Sequence, residues 1–200
     1  MIELIVVGTS AGGLNALEVL LKGLPKSFPA AMAIVQHRAP DLGSQLCQVL
    51  ERFCLLPVSE PEDKELILPG QVYLAPADYH LLVEAGREGN YFTFSHDAPV
   101  CYSRPAIDVL FESAAYAYRQ KLVGIILTGA NHDGAQGLVT IKQCNGLTIV
   151  QEPITTYSPI MPQAAIATGA VDWILPLEAI APFLLKIWRS PSNCNLSKDI

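Results

Sequence analysis

Two hundred residues, half of them apolar and 16% charged, can bury enough surface to offset their ordering entropy, which excludes intrinsic disorder. No apolar run approaches the roughly 20 residues that cross a bilayer, and a net charge of −6 with no basic cluster longer than a pair excludes nucleic acid and acidic membrane surfaces as partners. The five cysteines are scattered without a C-x-x-C pair, and no positive region precedes the short first apolar run, so a cytoplasmic setting is expected.

Glu3 to Val7 is a short apolar run that stops at Gly8-Thr9-Ser10-Ala11-Gly12-Gly13, after which Leu14, Leu17, Leu20 and Leu21 recur at helical spacing until Gly23-Leu24-Pro25. The pattern predicts a strand, a tight glycine turn and a helix. Ala31 to Gln36 predicts a second strand ending at His37, followed by a helix from Asp41, its expected cap, to Phe53. The texture then changes. Gln71 to Ala75 predicts a third strand, while Leu81-Leu82-Val83 and Tyr91 to Ser95, on either side of a turn signal, predict an antiparallel hairpin inserted at one sheet edge. Pro105 opens a helix running to Tyr118. Leu122 to Thr128, Leu147 to Gln151 and Val171 to Leu175 predict further strands, alternating with helices over 135–144, 161–168 and 177–188.

Strands alternating with helices imply an α/β fold, a doubly wound and mostly parallel Rossmann-like sheet. No repeat or long linker divides the chain. Residues 1–190 are expected to form one domain, and 191–200 a polar tail. In such sheets ligands sit beyond the carboxyl ends of the strands, and the polar residues concentrate there.

Gly8-Thr9-Ser10-Ala11-Gly12 matches G-x-S-x-G, a turn that projects a serine hydroxyl beside the N–H groups of a new helix; a plain connecting turn or a phosphate cradle fits the same pentapeptide. His37 follows the second strand, where a satisfied loop histidine is the plainer reading. Asp133 follows the Leu122 strand, where it could equally cap the next helix. Their joint placement says more. A strand order of 3-2-1-4-5 puts the first strand between the second and fourth, and neighbouring strands lie about 4.8 Å apart, so Ser10, His37 and Asp133 come within side-chain reach. His132 is the rival base because it abuts Asp133, though adjacent side chains diverge. A dinucleotide site lacks its middle glycine, a P-loop lacks Gly-Lys-Ser/Thr, and no two histidines stand at metal-ligand spacing. His80 and His96 read as loop or hairpin residues. Cys101 is a conceivable nucleophile without a histidine near it in sequence, and the Ser, His, Asp order differs from that of α/β-hydrolases.

These residues resemble the catalytic domain of the chemotaxis receptor methylesterases, the CheB-type protein-glutamate methylesterase family. The similarity runs through Val6 to Gly13, Val35-Gln36-His37, Gly70 to Pro76 with His80, Arg104-Pro105-Ala106-Ile107-Asp108, Leu127-Thr128-Gly129 with Asp133-Gly134, and Met161-Pro162 with Ala165. The resemblance implies Ser10 as nucleophile, His37 as general base and Asp133 as the group that orients it, with no metal or organic cofactor. Candidates for the oxyanion and substrate contacts are Thr9, Ala11, Gly12, Gly129, Ala130 and Arg104. The implied substrates are γ-glutamyl methyl esters on the methylated cytoplasmic domain of chemoreceptors, with glutamine deamidation as a second activity. A catalytically weak binding module and an esterase or amidase for a small metabolite are the alternatives. Ala11 stands where the family commonly has threonine, and Ala130-Asn131-His132 replaces its usual Met-Gly-x. Because the first strand begins almost at Met1, the regulatory receiver domain of many relatives is expected to be missing, which leaves control to a separate regulatory or receiver protein.

Overall fold

The computed structural model describes residues 1–38 and 45–189. Seven strands form one parallel sheet: β1 (Leu4–Thr9), β2 (Ala31–Gln36), β3 (Val58–Ser59), β4 (Val72–Leu74), β7 (Leu122–Ile126), β8 (Leu147–Gln151) and β9 (Trp173–Leu175), in the order β3-β4-β2-β1-β7-β8-β9. β5 (His80–Glu84) and β6 (Tyr91–Ser95) pair antiparallel as a separate hairpin. The predicted order is present, extended at one edge by β3, whose two residues are too few to show a periodicity.

The central strand explains the layering. All six residues of β1 are buried, as expected for a strand covered on both faces. Ile5 and Val7 point into a core with Leu17, Leu20 and Leu21 of α1 (Gly13–Lys22), Leu50 of α2 (Gln45–Glu51), and Ile180 and Leu184 of α6 (Leu177–Arg189). Leu4 and Val6 point the other way, toward Leu110, Phe111 and Ala114 of α3 (Ile107–Tyr118), Leu138 and Ile141 of α4 (Ala135–Gln143), and Met161 and Ala165 of α5 (Ile160–Ala167). The hairpin joins this second core through Leu81, Val83 and Phe92, with the Phe92 ring centroid 4.8 Å from that of Tyr73. Each such side chain contributes about 1.5–3 kcal/mol on leaving water. The expected cap Asp41 and the tail from 190 onward lie outside the described residues; the helix expected to end at Phe53 ends at Glu51.

Two details position the site. Gly8 of β1 lies directly under the side chain of Ile107, where a Cβ would collide, so α3 can bring its first turn down onto the sheet. The parallel register aligns Thr9 with Gln36 and Gly8 with Ile126, so the chain leaves β1, β2 and β7 at one level.

Candidate active site

Three turns meet at the carboxyl ends of β2, β1 and β7. The Ser10 N–H donates to the Thr128 carbonyl, and the His37 N–H to the Thr9 carbonyl, each at 3.0 Å. The Thr128 hydroxyl donates to the Ala11 carbonyl at 2.8 Å and accepts the Ser158 N–H at 2.9 Å. Gln36 Nε2 donates to the carbonyls of Ser10 and His37, both at 2.9 Å. The serine turn and the histidine strand end are thus fixed to each other by main-chain bonds and by the Gln36 amide, without use of the Ser10 hydroxyl.

Gly12, the N-cap of α1, sits at φ +78°, and a Cβ on it would run into Tyr157. Only glycine meets both demands. The Ala11 and Gly12 N–H groups have no hydrogen-bond partner among the described residues. At the positive end of a helix they are ready donors for an anion.

His37 Nε2 lies 2.7 Å from Asp133 Oδ2. Asp133 is fully buried, and its carboxylate also accepts the N–H groups of Ile107 at 2.7 Å and Asp108 at 2.9 Å. With an acceptor of this kind opposite it, Nε2 carries the ring proton and Nδ1 keeps the lone pair. Nδ1 faces Ser103 Oγ at 3.3 Å and Asn131 Nδ2 at 3.4 Å. Ser10 and His37 together line a cavity of about 530 Å³ with Gly12, Leu14 and Gln36. The Ser10 hydroxyl makes no hydrogen bond to any described residue; contacts between nucleophile and base commonly tighten only around substrate.

The remaining candidates divide. Ala11 and Gly12 present N–H groups without a partner among the described residues, and Ala130 is exposed. Thr9 is fully buried and its hydroxyl donates to the Thr128 carbonyl at 2.9 Å, so it braces the turn and does not face the cavity. Gly129 must be corrected as an oxyanion donor, because its N–H is committed to the Ser158 carbonyl at 3.1 Å. Arg104 shares a depression with His37, but its guanidinium is held by Asp78 at 2.6 Å and by the carbonyls of His96 and Asp97 at 3.0 and 3.1 Å, bracing the loop that carries Ser103. His132 is exposed, and the imidazole that contacts the Asp133 carboxylate is that of His37. His80 is buried; its Nδ1 accepts the Ala106 N–H and its Nε2 donates to the Ala98 carbonyl, both at 3.2 Å, securing the same loop from the other side. Ser103 and Asn131 went unassigned in the sequence; the only signal was their position beside the Arg104-Pro105 and Asp133-Gly134 pairs.

Cys101, Asp108 and Asp133 place ligand atoms within 4.8 Å of one another. Both Asp133 oxygens already accept N–H groups, and Asp108 Oδ1 accepts the Gly137 N–H at 2.6 Å. The two carboxyl groups are therefore already engaged by main-chain N–H groups, and the cluster is poorly disposed to hold a cation. Burial, and then the charges of Asp133 and Asp108, push the Cys101 thiol up, which disfavours a thiolate nucleophile. Burial, reinforced by Asp133 and opposed by the Gly137 N–H, pushes Asp108 up to about 6. The unfolded chain releases this proton first, so the protonated carboxyl contributes stability below about pH 4 that is lost as the pH rises to about 6. Asp108→Asn is accordingly expected to raise the melting temperature at pH 8, by an amount equivalent to about 1–2 kcal/mol, and to change it little at pH 4. Melting curves at the two pH values check this; equal shifts at both would contradict it.

Comparison with known proteins adds to the geometry. The chain matches the CheB methylesterase family over residues 5–184. It is 46% identical over 185 residues to a Leptospira interrogans protein, covering 92% of this chain and 94% of that one. It is 39% identical to a Pseudomonas aeruginosa protein named protein-glutamate methylesterase/protein-glutamine glutaminase 2, covering 92% of this chain but 52% of that longer one. The crystal structure of the Thermotoga maritima CheB methylesterase catalytic domain superposes with a TM-score of 0.90 at 34% identity, covering 94% of this chain and 99% of that one.

Proposed function

From the premise that the chain belongs to the CheB methylesterase family, we propose that it is a serine hydrolase that removes methyl groups from γ-glutamyl methyl esters of chemoreceptors and deamidates receptor glutamines. The observation that carries this reading is the buried Asp133 carboxylate 2.7 Å from Nε2 of His37, a histidine that lines one cavity with Ser10 and whose Nδ1 is left to act as the base.

The chemistry follows from that polarity. Ser10 Oγ attacks the ester carbonyl while His37 Nδ1 takes its proton, and Asp133 stabilises the imidazolium. The Ala11 and Gly12 N–H groups hold the oxyanion. Collapse breaks the C–O bond, the Nδ1 proton leaves with methanol, and the acyl group remains on Ser10. Water then repeats the cycle, giving glutamate and restoring the serine. With glutamine the departing group is ammonia, and the product is again glutamate.

A protein substrate is favoured by the rim of the site. Tyr102, Ile154, Tyr157 and Ile160 are at least half exposed on loops and a helix start at this end of the sheet, an apolar border beyond what a small ester requires. The same border offers a separate regulatory or receiver protein a surface on which to exclude substrate. The test is methanol release from a methylated receptor cytoplasmic fragment against a methyl ester of a short glutamyl peptide. The expected result is a kcat/KM at least about tenfold higher for the receptor fragment, since remote contacts supply binding energy to the reacting centre. A preference for the short ester would favour the small-metabolite reading.

A further inference from the structure

The lone pair that must receive the Ser10 proton already has an amide directed at it. Asn131 Oδ1 accepts the Asp133 N–H at 3.1 Å, which fixes the orientation of the amide and turns Nδ2 toward His37 Nδ1 at 3.4 Å. The second neighbour, Ser103 Oγ at 3.3 Å, is chemically different. A hydroxyl rotates, so it donates to the bare lone pair and accepts from the imidazolium. An amide nitrogen only donates. Once Nδ1 holds the proton, N–H faces N–H and Asn131 Nδ2 loses its acceptor.

The same step creates a new acceptor close by. The substrate oxygen becomes an oxyanion on the carbon joined to Ser10 Oγ. With Oγ about 2.8 Å from Nδ1 during transfer, that oxygen forms within roughly 5 Å of Nδ1. We propose that Asn131 is a catalytic residue, an oxyanion donor held weakly by the His37 lone pair at rest and released to the developing charge by the proton transfer itself. It adds a side-chain donor to the Ala11 and Gly12 N–H groups, and its contact is strong only where charge develops, the condition for accelerating the chemical step. The inference rests on the Ser10–His37 reading above.

Asn131→Asp and Asn131→Ala test it, with kcat, KM, pH profiles and melting curves measured on the methyl ester. Asp keeps the oxygen that accepts the Asp133 N–H but has no donor. Both variants are expected to lower the plateau kcat by about 10²–10³-fold with KM within about threefold, and the loss in Asn131→Ala to persist on the high-pH plateau of the profile. An Asn131→Asp enzyme with kcat within about threefold of wild type would overturn the proposal, since the side chain would then serve only as an acceptor; this variant decides the matter if Asn131→Ala does not fold. A loss in Asn131→Ala that is recovered at higher pH would also overturn it, by assigning the residue to the basicity of His37. Ser10→Ala separates the two levels: activity surviving there sinks the serine mechanism itself, whereas an inactive Ser10→Ala beside an active Asn131→Asp sinks only this inference.

Discussion

Ser10→Ala is expected to lower kcat for methanol release by about 10⁴–10⁶-fold while leaving the melting temperature within a few degrees of wild type. The size follows from removing the atom that forms the acyl bond; what remains is the binding cavity and the α1 donors acting on water. The neutrality of the fold follows from the site geometry. The main-chain N–H of Ser10 bonds to Thr128 whatever the side chain, and the hydroxyl has no partner among the described residues to lose. Methanol release by the wild type no faster than by this variant would favour the binding-module alternative, and pull-down of receptor fragments by both proteins would then be the activity to pursue. A variant that retains more than about a tenth of the wild-type rate would place the nucleophile elsewhere.

Asp133→Asn has the second-largest expected effect, a fall in kcat of about 10⁴-fold accompanied by a loss of about 2–4 kcal/mol of stability. Three N–H groups converge on the carboxylate, from His37 at 2.7 Å, Ile107 at 2.7 Å and Asp108 at 2.9 Å. An amide offers one oxygen where the carboxylate offers two. If that oxygen keeps the Asp108 N–H, an NH₂ group confronts the Ile107 N–H and His37 Nε2. The ring relieves the conflict by moving its proton to Nδ1, the nitrogen that must be bare to activate Ser10. Activity and stability therefore fall together, unlike in Ser10→Ala, and denaturant melts with single-turnover kinetics would report both. An Asp133→Asn enzyme within about tenfold of wild-type kcat would show that His37 needs no orienting acid.

The strands of the sheet centre were legible for a physical reason. β1, β2, β7 and β8 are covered on both faces, so Leu4 to Val7, Ala31 to Val35, Leu122 to Leu127 and Leu147 to Val150 are apolar nearly throughout and are followed by glycine or polar residues. β2 and β8 agree with their expected bounds residue for residue. β3 was illegible because Val58–Ser59 owes its strand character to pairing with β4, a contact between segments that no local pattern encodes. The neighbourhood of Ser10, His37 and Asp133 was legible too, since strand order alone brings their three turns together.

The commitments of individual donors were not. Gly129 has no feature in the sequence that assigns its N–H to Ser158, and Arg104 none that assigns its guanidinium to Asp78 and two carbonyls. Burial periodicity and strand order, which are local and topological properties, sufficed for the architecture and for the three chemical groups at adjacent strand ends. Packing in three dimensions was needed to settle which imidazole nitrogen faces Asp133, which N–H groups lack a partner among the described residues and that Asn131 faces His37. Those outcomes depend on α3 settling over Gly8 to bring the Ile107 and Asp108 N–H groups onto Asp133, and hydrogen-bond geometry between remote loops is fixed only once the helices are packed.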